Sequence, residues 1–145
     1  VASARKTVLD TVVSALGNST GIQTATRELE HWWEKRGHEF PIVTVSDGET
    51  ELEYLTHQST SESDMEARLM LTVRGYVFDA GNTLATKRTN LASDIEKTMI
   101  GSTDISGVTV AVHPRTITTD RDMIENYSIV ECEYEVVYHY NHLSP

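Results

Sequence analysis

The run Ser-Ile-Val-Glu-Cys-Glu-Tyr-Glu-Val-Val-Tyr-His-Tyr, from Ser128 to Tyr140, changes character at every step. Val130, Cys132, Tyr134, Val136, Tyr138 and Tyr140 fall on one side, and Ile129, Glu131, Glu133, Glu135, Val137 and His139 on the other. Successive side chains of an extended chain point to opposite faces, so a period of two predicts a β-strand. Its length, about twice the usual 5 to 6 residues, predicts a long antiparallel strand. One face lies in the core and the other carries three carboxylates.

A second long strand is predicted from Met65 to Phe78. Ala67, Leu69, Leu71, Val73 and Val77 share one face; Arg68, Met70, Thr72, Arg74, Tyr76 and Phe78 share the other. If the two long strands pair, Arg68 and Arg74 come near Glu131, Glu133 and Glu135. Opposite charges across a ladder stabilise by roughly 0.2 to 1 kcal/mol each. The acidic face therefore has two readings, one neutralised by arginine within the sheet and one turned toward a partner.

The remaining elements follow from periodicity and punctuation. Val8, Leu9, Val12, Val13 and Leu16 recur at helical spacing, with Ser3 as the cap and Gly17 as the stop. Ile22 to Arg27 suits a short strand. The segment Glu28 to Phe40 has helical composition without an apolar stripe, and its adjacent Trp32 and Trp33 cannot both point inward; an exposed tryptophan often marks a contact. Ile42 to Ser46 predicts a strand ending at the turn dipeptide Asp47-Gly48. Glu49 to Tyr54 suits strand or loop. The polar run His57-Gln58-Ser59-Thr60-Ser61-Glu62-Ser63-Asp64 has nothing to bury and is expected to be a mobile loop.

After a turn at Asp79-Ala80-Gly81-Asn82, the residues Leu84, Arg88, Leu91, Ala92, Ile95 and Met99 mark a second amphipathic helix closed by Gly101. Val108 to Val112 predicts a strand that Pro114 confines to a sheet edge or bends, and Thr116-Ile117-Thr118-Thr119 continues it. The expected fold is α+β: an antiparallel or mixed sheet of about four to five strands with two helices on one face. No linker or repeat divides the 145 residues, so one domain is expected.

Charge and chemistry narrow the function. Twelve basic residues against 22 acidic ones give a formal charge of -10, which argues against general affinity for nucleic-acid phosphates or anionic lipid. Cys132 is the sole cysteine, so no disulfide can form within the chain and no cysteine cluster can hold zinc. No apolar run approaches the roughly 20 residues of a membrane span, and Asp10 interrupts the one candidate signal-peptide region, so a soluble product without a membrane partner is expected.

Phosphate-binding glycine loops, nucleophile elbows and zinc-protease motifs are missing from the sequence. His139 and His142 lie three apart, which on a strand puts them on opposite faces. Glu131 and Glu133 sit about 6 to 7 Å apart by strand rise, and nothing beside them supplies a cleft. The sequence thus predicts no metal, no cofactor and no enzyme; assembly or binding is the better reading.

The order of segments resembles the tail terminator (tail-completion) proteins of long-tailed bacteriophages. The resemblance runs through the helix Lys6 to Leu16, the Pro-led strand Phe40 to Gly48 and the long strand Ala67 to Phe78. It continues in the helix segment Leu91-Ala92-Ser93-Asp94-Ile95-Glu96 and ends in the strand Glu133 to Tyr140. It departs from the family pattern at Trp32-Trp33 and in the polar loop before Met65.

This resemblance implies a virion protein that forms a ring, commonly a hexamer, on the head-proximal end of the tail tube. The ring stops polymerisation of the tube protein and offers a surface to a head-completion or neck protein. A ring needs two different contact patches per subunit. Arg68, Met70, Arg74, Tyr76, Phe78, Trp32 and Trp33 are candidates for them. Glu131, Glu133 and Glu135 are candidates for the channel, where like charge lets DNA pass without specific binding, or for a subunit contact. Another neck component and a small dimeric α+β enzyme are the alternatives.

Overall fold

The computed structural model describes residues 3–27, 35, 39–55, 65–101, 109–119, 126–141 and 143. Trp32, Trp33 and the run His57 to Asp64 lie outside them. Two helices, α1 (Ala4–Gly17) and α2 (Leu84–Gly101), accompany β1 (Thr24–Thr26), β2 (Ile42–Tyr54), β3 (Met65–Phe78), β4 (Thr109–Thr119) and β5 (Tyr127–Tyr140). The strands form one sheet in the order β1-β2-β3-β5-β4. β1 runs parallel to β2, and every other pairing is antiparallel, so the sheet is mixed and the fold is α+β as expected.

Each helix is explained by its sequence. The Ser3 hydroxyl accepts from the Lys6 N–H at 3.1 Å and caps α1. Val8, Leu9, Val12 and Leu16 then face the sheet and are buried. Full burial of such a side chain contributes about 1.5 to 3 kcal/mol. At the start of α2, the Asp79 carboxylate accepts from the Thr83 and Gly81 N–H groups at 2.8 and 3.2 Å, tying the preceding turn. Leu91, Ile95 and Met99 then enter the same core as the α1 residues, so both helices lie on one face.

The two long strands supply the other half of that core. Ala67, Leu69, Leu71, Val73 and Val77 of β3 and Val130, Cys132, Tyr134, Val136 and Tyr138 of β5 are buried, matching the alternation in the sequence. Gly75 has a specific role in this layer. A Cβ there would sit 2.5 Å from Leu91 Cδ2 and 3.0 Å from Val130 Cγ1, so the bare backbone is what lets α2 settle on β3.

One edge differs from the sequence expectation and one follows it. Asp47-Gly48 does not end the first Pro-led strand: β2 continues to Tyr54, with a shift in register between Asp47 and Thr50. Asp47 pairs with Leu71 and Thr50 with Leu69, so three steps on β2 match two on β3. This is a β-bulge, and its extra residue inverts the alternation. Val43, Val45 and Asp47 face the helices before it; Thr50, Leu52 and Tyr54 do so after it. β4, by contrast, runs through Pro114 to Thr119, as the sequence suggests. It can do so because it is an edge strand and its register slips between Pro114 and Thr116.

Candidate assembly surface

The face of the sheet away from the helices carries most of the residues singled out by sequence. Register decides which of them meet. Arg74 stands opposite Glu131, Thr72 opposite Glu133, Met70 opposite Glu135 and Arg68 opposite Val137. The Arg74 Nε donates to Glu131 Oε2 at 3.0 Å. Glu133 receives a hydrogen bond from the Thr116 hydroxyl at 3.2 Å. His113 of β4 stands across from Glu135.

Arg68 departs from expectation. It does not join the glutamate stripe, because its register partner is Val137, two residues beyond Glu135; its guanidinium lies 3.4 Å from Glu66 instead. Glu66 also meets His139 Nε2 at 3.3 Å. One carboxylate of the acidic row, Glu131, is thus countered by arginine, while among the described residues Glu133 and Glu135 form no salt bridge.

Tyr76 and Phe78 take a different place. Tyr76 is buried with Phe40 and Ile42 in a small cluster on this face, against which Phe78, Tyr127 and Ile129 pack. The rings of Phe40, Phe78 and Tyr127 lie with centroids 5.1 to 5.9 Å apart, at the tilted angles that aromatic pairs favour. Aromatic packing therefore covers one end of the face and charged ladders cover the rest.

Electrostatics also organise the helix side. Arg5 of α1 donates through Nε to Asp47 Oδ2 at 3.0 Å, and Arg27 donates to Asp47 Oδ1 at 2.9 Å. The Arg5 hydrogen bond, opposed by burial and assisted by Arg27, holds the Asp47 carboxyl below its ordinary value. Burial pushes the Cys132 thiol up to about 11, which fits a core residue rather than a nucleophile. Among the described residues no group of three or more His, Cys, Asp or Glu could hold a metal ion, and no helix is long and apolar enough to cross a membrane.

Past the bulge, β2 forms an arm that sequence reasoning left undecided. Leu52 and Tyr54 are each 59% exposed although they face the helix side. An apolar groove of about 410 Å³ runs between the start of α1 and this arm, with Ala4, Leu52, Tyr138 and Tyr140 in its walls. The alternation Glu49, Glu51, Glu53 against Thr50, Leu52, Tyr54 was the available signal for strand; the bulge hid its continuity with Ile42 to Ser46.

Neither a protein-family model nor a curated protein sequence matches this chain. The fold is shared with solved structures.

A chain in a structure described as "Virion of native gene transfer agent (GTA) particle" aligns over 94% of this chain and 92% of its own length, with a TM-score of 0.50 and 11% identity. At that identity the likeness is one of fold. Because it spans nearly the whole of both chains, it concerns the arrangement of helices and sheet as a unit, and not a single borrowed motif.

Proposed function

We propose that this chain is a structural protein of a phage-like virion, and within the virion a tail terminator. Copies of it close into a ring, six in the form the sequence resemblance implies, at the head-proximal end of the tail tube. The ring stops addition of tube protein and presents its other rim to a head-completion or neck protein. The observation that carries the reading is the near full-length fold likeness to a chain of a gene transfer agent virion. The segment order that resembles tail terminators supports the finer assignment.

In this reading the charged face of the sheet has a divided role. The Arg74–Glu131 pair braces β3 against β5, whereas Glu133 and Glu135 turn toward the channel and repel the phosphates of passing DNA. Replacing both with lysine should make the assembled ring retain duplex DNA at low salt.

The deciding experiment adds the purified chain to growing tail tubes. Tubes that stop at a uniform end, with a ring of density seen there by negative stain, are the expected result. Tubes that grow on unchanged, with the chain bound to heads or sized by light scattering as a compact dimer, overturn the terminator reading.

A further inference from the structure

A cavity of about 310 Å³ opens at the end of the sheet, where β2 begins and β3 stops. Among the described residues, Phe40, Pro41, Val77, Phe78 and Leu91 give it apolar walls, and one stripe of α2 gives it polar ones. Lys87, Asn90 and Asp94 on that stripe are three and four residues apart, so their side chains leave neighbouring turns on one side of the helix. Apolar walls with a few convergent polar groups are the usual composition of a small-molecule site.

The charges on the stripe differ in how they are met. Lys87 Nζ donates to the Phe78 carbonyl at 3.4 Å and lies 3.6 Å from Asp79 Oδ1, so its ammonium already has a counter-charge. Asp94 is half-buried. Its backbone oxygen accepts from the Thr98 hydroxyl at 2.9 Å, but among the described residues its carboxylate has neither a hydrogen bond nor an ion pair. A charge drawn partly out of water is costly unless donors or an opposite charge meet it.

Gly21 decides where that carboxylate sits. A Cβ on Gly21 would overlap Asp94 Oδ2 and lie 2.6 Å from its Cγ, so the acid rests in the space a side chain would take. The turn between α1 and β1 thus admits Asp94 to the wall of the cavity, beside the apolar floor.

We infer that this cavity binds a small organic cation with a flat amidinium or guanidinium head. Two parallel N–H groups of such a head match the two oxygens of the Asp94 carboxylate. The Asn90 carboxamide oxygen accepts a further N–H, and the apolar body lies against Pro41 and the Phe78 ring, a surface that suits a flat cation. An anion would meet Asp94 itself, and a neutral molecule would leave the carboxylate without its counter-charge. No residue of the Glu131 to Glu135 stripe lines the cavity, and the inference does not rest on the ring reading.

The test uses the full chain and three molecules of one shape: benzamidinium, benzamide and benzoate. In NMR titrations, benzamidinium should give saturable shifts of the α2 amides around Asn90 and Asp94 at millimolar concentration. The other two should bind at least about tenfold more weakly. D94N should erase that preference. G21A should weaken benzamidinium binding about tenfold by displacing the carboxylate, and should add nothing in a D94N background. Melting followed by circular dichroism checks that the variants stay folded; D94N, at a partly exposed helix position, is sufficient by itself if G21A does not fold.

Equal binding of the three molecules overturns the site, as does benzamidinium binding that D94N leaves unchanged. Absence of saturable benzamidinium binding at millimolar concentration overturns it too. None of these results bears on the ring, which the tube-capping experiment decides.

Discussion

The Arg74 guanidinium and the Glu131 carboxylate meet across β3 and β5 at 3.0 Å, from directly opposed positions in the ladder. Their side chains are 49% and 36% exposed, so water and salt screen the attraction. R74A or E131Q should lower stability by less than about 1 kcal/mol, with a double-mutant cycle in urea giving a coupling that shrinks in 1 M salt. A larger loss that salt leaves untouched would mean the pair is shielded.

Gly75 should be far less forgiving. Its missing Cβ makes room for Leu91, Val130 and Ile95, and Gly75→Ala should cost about 1 to 3 kcal/mol through overpacking. Pairing it with Leu91→Ala tests the cause: the combined loss should be smaller than the sum of the two, as read from denaturant midpoints.

Asp79 links stability to acid. The Thr83 hydroxyl and N–H and the Gly81 N–H stabilise its charged form and lower its pKa from 3.8 to about 2. A depressed folded-state pKa gives stability that is present above the unfolded value and lost as pH falls through the folded one. The thermal midpoint should therefore fall between about pH 4 and pH 2. Asp79→Ala should lower it at pH 7 and flatten that part of the curve.

Asp47 anchors α1 and the segment after β1 at once, through Arg5 and Arg27. Its pKa is lowered, chiefly by the Arg5 hydrogen bond, so its contribution also disappears on acidification. Asp47→Asn should cost on the order of 1 kcal/mol, discounted because all three side chains are partly exposed. Hydrogen exchange should quicken in α1 more than in α2.

Much of this fold could be read from residue spacing because its two long central strands are buried mainly on one face. That asymmetry writes itself into the chain as alternation, visible from Val130 to Tyr140 and from Ala67 to Val77. The helices were legible for the same reason, since Val8, Leu9, Val12 and Leu16 share one stripe. The edges were harder. Asp47-Gly48 has turn chemistry, yet in β2 it serves a bulge and an ion-paired carboxylate, which depends on Arg5 and Arg27 arriving from distant positions.

The candidate surface was legible in composition and not in pairing. The acidic stripe and the two arginines were evident, but which carboxylate meets which guanidinium is set by register, and register placed Arg74 on Glu131 and sent Arg68 to Glu66. The exposed Leu52 and Tyr54 gave no signal of their own, because an apolar residue on a strand reads as core until the layer above it is known to stop short.

The bulge between Asp47 and Thr50 makes β2 two reading frames on one backbone. Upstream, the odd-numbered positions answer to the core; downstream, the even-numbered ones do. A single-residue insertion or deletion at this point would exchange the outward and inward sets of the arm, glutamates for leucine and tyrosine, while leaving Val43 and Val45 where they are. Lineages of this fold thus have a one-codon route to a new outer rim that leaves the interior sequence alone.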